Sequence, residues 1–277
     1  MSCRNYCDRR EICKKQEYPY QLTAKHQRMR HNSNLGFVTD EALFNHVKDT
    51  VLHYRVNIDL REFNKNIVDP VKMTFDAKVF GRSFESLVQD ECMRQIDKSN
   101  NNTIGYFHQN FFRLAPAGWE VPANGVTGFD VQNDNQHIYV EMKNKHNTMN
   151  AASAKNTYIK MQHKILEDDR AVCMLVEVIA KKSQNDKWRI MLDGRNMAHE
   201  RIRRVSIDRF YALVFGDEFA FAKLCGALPT VLDDVLAETH VDTSSNTVFG
   251  ELSALSPDIL RSIYLLAFKT YDGFDEF

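Results

Sequence analysis

The segment 128–143 reads GFDVQNDNQHIYVEMK and contains two strand-like runs, GFDVQ and HIYVEMK. The four residues between them, 133–136, are Asn, Asp, Asn and Gln, which favour tight turns. A strand, a turn and a second strand in this order predict a β-hairpin. We expect this hairpin to be part of the central sheet of the protein.

The second run of the hairpin has two different faces, because successive side chains of a strand point to opposite sides of a sheet. Glu141 and Lys143 therefore share a face with Tyr139. A carboxylate and an ammonium on this face are within reach of one shared ligand. The other face is apolar and is predicted to pack in the core: Ile138, Val140 and Met142.

A second carboxylate, that of Asp130, lies on the first run of the hairpin. If the turn is centred on Asp134 and Asn135, pairing of the runs brings Asp130 close to the position opposite Tyr139. Glu141 is then its diagonal neighbour, so the two carboxylates converge. Oxygen ligands from Asp and Glu suit a hard cation such as Mg²⁺.

Two carboxylates, a metal ion and a lysine can hydrolyse a phosphodiester. The metal ion would activate a water molecule and assist the leaving oxygen, and Lys143 would orient or deprotonate that water and neutralise the developing charge. Glu85 is a candidate third carboxylate if its helix packs against the hairpin. From the spacing alone, an ordinary solvent-facing pair of Glu141 and Lys143, with Asp130 as a turn residue, is the alternative.

The chain before the hairpin is predicted to hold a helix over 83–96, which carries Glu85 and Glu91. The polar stretch SNNNT at 99–103 is expected to end this helix. The aromatic and β-branched residues of 104–114 then predict a strand.

After the hairpin, a lysine-rich helix is predicted at about 151–167 and a buried strand at 171–180. A further short strand is expected at 188–192, and the rest is expected to be largely helical, including the arginine-rich segment 201–206. This order predicts an α/β fold with a mixed central sheet flanked by helices and a helical C-terminal part.

The composition is that of an ordinary globular protein. The 277 residues are 43% hydrophobic, the formal net charge of −1 provides no global attraction to nucleic acid, and no apolar run is long enough to cross a membrane. We predict a cytoplasmic protein with no membrane association. We expect a flexible extension, 1–34, followed by one domain, 35–277, whose phosphodiester-cleaving core lies at about 80–195.

Three cysteines are crowded in the N-terminal extension, at Cys3, Cys7 and Cys13. Together with His26 or His31 they could bind zinc, although their spacing matches no paired Cys-x-x-Cys knuckle. The alternative is a polar extension without a metal.

Several longer motifs resemble a known family. The spacing of Asp130, Glu141 and Lys143 resembles the catalytic motif of the P-D…(D/E)-x-K nuclease superfamily, and a wider likeness, given next, covers roughly 35–277. The motifs IGYFHQN, GWEVP, GFDV, VEMKNKHNTMN and EFNKNIVDP (62–70) resemble type II restriction endonucleases that recognise GGNCC. The resemblance implies a restriction-endonuclease-like fold.

By this resemblance Asp130 and Glu141 are Mg²⁺ ligands, Lys143 is the catalytic lysine, and Glu85 matches a helical glutamate, with Glu91 as its rival. Phe129 stands where the superfamily has proline, a position that contributes backbone shape rather than chemistry. The resemblance also implies cleavage of double-stranded DNA at GGNCC within a restriction-modification system that includes a cognate DNA methyltransferase. A palindromic target implies a homodimer.

Candidate DNA contacts follow the catalytic strand and recur before the C-terminal part. Each of them has ordinary charged surface as its alternative. They are Lys145, His146, Asn147, Lys155, Lys160, Arg201, Arg203 and Arg204.

Two other functions stay open from the residues. One is a repair or recombination nuclease of the same fold without strong sequence preference. The other is a non-catalytic or zinc-stabilised DNA-binding module, in which the acidic pair has no chemical role.

Overall fold

A five-stranded mixed sheet is the centre of the computed structural model, which describes residues 32–116, 118–123, 128–192, 194–241 and 245–268. The described helices are α1 (Asp40–Leu52), α2 (Leu60–Phe63), α3 (Pro70–Phe80), α4 (Phe84–Phe111), α5 (Ala151–Glu167), α6 (Ile207–Phe215), α7 (Ala220–Glu238), α8 (Val248–Leu255) and α9 (Ile259–Phe268). The strands are β1 (Val131–Asn133), β2 (Ile138–Lys145), β3 (Val172–Ile179), β4 (Asn185–Leu192) and β5 (Arg195–Ser206).

The strands lie in the order β1-β2-β3-β5-β4, with β2, β3 and β5 parallel and the edge strands β1 and β4 antiparallel to their neighbours. The predicted mixed α/β sheet flanked by helices is therefore confirmed. Within the described ranges, no helix is both apolar enough and long enough to span a bilayer. The three N-terminal cysteines and most of the predicted extension fall outside the described residues.

The hairpin forms as predicted, but its register differs by two residues. Gln132, rather than Asp130, pairs with Tyr139. The reason is a longer loop: the side chain of Asn133 accepts a hydrogen bond from the backbone of Gln136 (3.1 Å), and His137 adopts a left-handed φ of 56°. This register moves Asp130 towards Glu141, so the two carboxylates are closer than the predicted pairing places them.

The predicted strand at 104–114 is wrong, because α4 continues for 28 residues to Phe111. The asparagine stretch does not end the helix. The side chain of Asn100 is buried and makes 2.8 Å hydrogen bonds with both the backbone N–H and the carbonyl of Arg55. Phe107 and Phe111, four residues apart, share the helix face that packs in the core.

The arginine-rich segment 201–206 lies in strand β5 and not in a helix, which corrects the prediction. β5 is an interior strand, with β3 on one side and β4 on the other. Its apolar residues Ile202 and Val205 enter the cores on opposite faces of the sheet. Tertiary pairing therefore decides the conformation of a segment whose local pattern is dominated by charge.

Three groups of buried side chains hold the fold together. One lies between the sheet and helices α1, α4, α6 and α7, and a second lies between the opposite sheet face and α5. The third, here called the distal cluster, joins the first half of α4 to α3, α8 and α9 through residues such as Val88 and Leu252. Helix α4 contributes to both the first group and the distal cluster.

Candidate active site

Asp130 is fixed by the hairpin immediately before β1. Its backbone N–H donates to the carbonyl of Val140 (2.8 Å), and its Oδ2 accepts from the backbone N–H of Met142 (2.7 Å). Both contacts are made to β2, so the carboxylate is held against this strand. Its other oxygen, Oδ1, has no hydrogen bond from the residues that the structure describes.

Glu141 lies on the β2 face that the alternation predicts, with Lys143 on the same face. The ammonium of Lys143 is 2.7 Å from Glu141 Oε1. A second lysine, Lys160 of α5, contacts Glu141 Oε2 and donates to the carbonyl of Gly128. The site therefore contains two carboxylates and two lysines, drawn from the hairpin and from the helix that covers it.

The two carboxylates differ in their electrostatics. Burial, reinforced by the negative charge of Glu141, raises the pKa of Asp130 above its ordinary value. Burial also acts to raise the pKa of Glu141, but hydrogen bonds from Lys143 and Lys160 outweigh it, so the pKa of Glu141 is lowered. Glu141 is thus paired directly with two lysines, whereas half-buried Asp130 accepts a backbone hydrogen bond and is stabilised by the lysine charges only in part.

These donors fit a Mg²⁺ ion. In the described residues no group of three or more His, Cys, Asp or Glu side chains converges, so a cage made wholly of protein ligands is not seen there. Mg²⁺ commonly binds through one or two carboxylates and completes its shell with water and substrate phosphate. Two such carboxylates are available here. They are Asp130, whose Oδ1 accepts no hydrogen bond from the described residues, and Glu141.

A groove runs between α4 and the end of β2 and reaches Asp130 and Lys143. The side chain of Gln109 donates to the backbone carbonyl of Asp130 (3.2 Å), so α4 forms one wall of the site. The groove is lined by Asn101, Asn102, Gly105, Tyr106, Gln109, Asp130, Met142, Lys143, Asn144 and Val178.

Glu85 does not join this site, contrary to the prediction. It is exposed in the first turn of α4, whereas Gln109 meets Asp130 near the other end of the helix. At about 1.5 Å per residue, roughly 36 Å of helix separates the two positions. Glu91 is also remote, and its carboxylate is paired with Arg94 (2.5 Å) and Gln95 (2.8 Å). The described part of α4 supplies amides to the groove rather than a third carboxylate.

Two of the proposed DNA-reading arginines have structural partners. Arg204 makes a two-pronged contact with Glu177, with distances of 3.0 and 2.6 Å, and also donates to the carbonyl of His146 (3.2 Å). Arg203 donates from Nε to the side chain of Asn185 (2.9 Å). Arg204 in particular is committed to a buried carboxylate, so its assignment as a base reader is corrected to a structural role.

The other candidate DNA contacts are distributed around the C-terminal end of β2 and on two neighbouring elements. Lys145 ends β2 and is exposed, and Asn147 is exposed in the following turn. Lys155 lies in the first turns of α5, and Arg201 is half-buried on β5. Lys160 is a site residue that sequence reasoning treated only as a possible phosphate contact. Its role could have been inferred from its position on α5. This helix connects the parallel strands β2 and β3 and must therefore cover the sheet face that carries Glu141.

Replacing Asp130 with asparagine should stabilise the metal-free protein at neutral pH. Because folding raises the pKa of Asp130, its contribution to stability is present at low pH and is lost as the pH rises through the folded-state pKa. An amide does not ionise and still offers an oxygen to Met142. Urea denaturation in chelator should show a stability gain at neutral pH that shrinks as the pH falls from the folded-state pKa towards the ordinary pKa of aspartate and is absent below it. A variant less stable than wild type at neutral pH would contradict this electrostatic assignment.

The sequence is similar to that of a family of restriction endonucleases and to two of its relatives. The family model described as Eco47II restriction endonuclease matches residues 35–237. The type II restriction enzyme Sau96I from Staphylococcus aureus is 31% identical over 233 residues, covering 80% of this chain and 88% of that enzyme. The type II restriction enzyme Eco47II from Escherichia coli is 27% identical over 219 residues, covering 74% of this chain and 90% of the relative. The chain therefore belongs to the Eco47II restriction endonuclease family.

Proposed function

We propose that this protein is a Mg²⁺-dependent type II site-specific deoxyribonuclease that hydrolyses phosphodiester bonds of double-stranded DNA at GGNCC. One observation supports this proposal above all. Asp130 and Lys143 line one groove, and the Lys143 ammonium lies 2.7 Å from the carboxylate of Glu141. The family assignment supports the reaction class, and the resemblance to GGNCC-recognising enzymes supports the target.

Each residue has a distinct task in this mechanism. Bound Mg²⁺ would supply Lewis-acid stabilisation of the phosphate and a water of lowered pKa. Asp130 and Glu141 would hold it, because the two carboxylates are close enough for the charge of Glu141 to raise the pKa of Asp130. Lys143, hydrogen-bonded to Glu141, would orient the attacking water and neutralise negative charge that develops on the phosphate oxygens. Gln109 steadies Asp130 through its backbone carbonyl.

DNA binding is proposed for the exposed polar residues near the site. Lys145, His146 and Asn147 follow Lys143 directly, so a DNA strand whose scissile phosphate is at the site passes close to them. Lys155 and Arg201 stay as further candidates for phosphate or base contacts. The reading of individual bases at GGNCC is proposed from the resemblance.

The proposal extends to assembly and setting. A palindromic target has two equivalent scissile bonds, and a homodimer with two-fold symmetry presents one active site to each strand. We therefore propose a homodimer. The host's own DNA lies in the cytoplasm and needs protection from such an enzyme, so we place the protein there with a cognate DNA methyltransferase.

Digestion of a sequenced plasmid tests this function. With Mg²⁺, the protein should give discrete fragments whose ends all map to GGNCC. The reaction should stop on chelation, and Ca²⁺ should support binding without cleavage. A smear of products would favour a repair or recombination nuclease, and binding without any cleavage in Mg²⁺ or Mn²⁺ would favour a non-catalytic module. A plasmid that lacks GGNCC is the matched control.

A further inference from the structure

Lys160 forms an ion pair with Glu141, one of the two carboxylates proposed to bind the metal ion. Its ammonium contacts Glu141 Oε2 and the carbonyl of Gly128, and it lies 4.7 Å from the centre of the Phe129 ring. The Lys160 side chain is 34% exposed and that of Glu141 is 13% exposed. This ion pair is partly buried and has additional partners, so it is screened less by solvent and salt than an exposed surface pair.

Both oxygens of Glu141 are engaged. Lys143 contacts Oε1 from the same strand, and Lys160 contacts Oε2 from α5. Asp130 differs, because its Oδ1 receives no hydrogen bond in the described part of the chain. A divalent ion that approaches the pair of acids therefore finds an open oxygen on Asp130 and a cation already bound to Glu141.

We propose that Lys160 is a built-in counter-ion that occupies the Glu141 carboxylate when no metal is bound, and that a divalent metal ion binds by displacing its ammonium. This inference rests on the proposed metal-dependent function. Lys160 is a positioning residue, because it keeps an acidic site neutral and ordered without touching the reacting phosphate. The two cations compete for one carboxylate, so each weakens the binding of the other by the same factor.

Calorimetric titration of Ca²⁺ into the full-length protein without DNA tests the competition. Lys160→Met removes the competing charge and keeps the apolar part of the side chain, so its affinity for Ca²⁺ should be about tenfold higher than wild type. The matched control is Lys164→Met. Lys164 lies one turn further along α5, where it contacts the Tyr139 ring (4.4 Å) and not Glu141. The Lys164→Met variant should bind Ca²⁺ with the same affinity as wild type.

A measurement on the unmodified protein guards against misfolding of the variant. Amine acylation followed by mass spectrometry should show that Ca²⁺ increases the reactivity of Lys160, because displacement frees its amine. Lys164 should change little. Equal Ca²⁺ affinity in wild type and Lys160→Met, or a Lys160 reactivity that Ca²⁺ leaves unchanged or lowers, overturns the proposal.

The inference and the proposed function fail in different ways. If Mg²⁺ supports cleavage at GGNCC while Lys160→Met binds Ca²⁺ no more tightly than wild type, only the counter-ion role of Lys160 is wrong. If neither protein binds a divalent ion and no metal supports cleavage, the metal-dependent function is wrong, and the counter-ion role is wrong with it.

Discussion

Replacing Lys143 with methionine should slow DNA cleavage on the order of a thousandfold and leave Ca²⁺-supported DNA binding near the wild-type level. The expected loss is large because the Lys143 ammonium lies 2.7 Å from Glu141 and lines the groove that reaches Asp130. A positive charge at this position stabilises a phosphate more in the transition state than in the ground state. Single-turnover cleavage of a duplex with one GGNCC site, at saturating enzyme, measures the chemical step directly.

Lys145→Met is the matched control, because Lys145 is the next lysine on the same strand face and is exposed. It should weaken DNA binding and reduce its salt dependence, with the saturated cleavage rate close to wild type. If Lys143→Met cleaves at the wild-type rate, Lys143 has no role in the chemistry. If Lys145→Met shows the larger loss of rate, the catalytic lysine has been assigned to the wrong position.

Arg204→Met should lower the free energy of unfolding by about 3 kcal/mol, since loss of one partner leaves the other as an unpaired buried charge. The remaining partner is Glu177, whose side chain is only 1% exposed in the centre of the sheet. The variant also loses the hydrogen bond from Arg204 to the His146 carbonyl, which ties β5 to the turn after the catalytic strand. Urea denaturation at neutral pH measures the change.

Arg203→Met provides the comparison within the same strand. Arg203 contacts the neutral residue Asn185 at an exposed position, so its loss should cost less than about 1 kcal/mol. The double variant Glu177→Met with Arg204→Met should recover most of the stability, because no buried charge is left. Equal losses for Arg203→Met and Arg204→Met would show that burial of Glu177 does not control the energetics.

The parts of the fold and site that the sequence predicts correctly depend on short-range patterns. The alternation in β2 assigns Glu141 and Lys143 to one face, and the capped, lysine-rich stretch of α5 has the expected limits. These features need only the period of a strand or helix and local turn chemistry. The hairpin pattern also predicts that Asp130 and Glu141 come together. The register of β1 with β2 depends on the loop conformation at His137, which composition does not specify.

The incorrect predictions concern long-range contacts. Asn100 is a polar residue in the middle of a helix, and only its hydrogen bonds with Arg55, 45 positions away, explain why the helix continues there. The charged strand β5 is stabilised by pairing with β3 and by the Arg204 contact with Glu177, which no local window contains. The prediction for Glu85 requires its end of α4 to pack against the hairpin, but it is the other end of this helix, at Gln109, that contacts Asp130.

The length of α4 has a consequence for the evolution of the enzyme. One continuous helix provides buried residues to the distal cluster at its start and contacts Asp130 through Gln109 near its end. Helices α3, α8 and α9 therefore cannot be treated as a detachable appendage, since removing them would strip the apolar cover from the element that forms a wall of the catalytic groove. Insertions and losses are better tolerated in the surface loops between these helices than within α4, where one added residue would rotate every later side chain by about 100°.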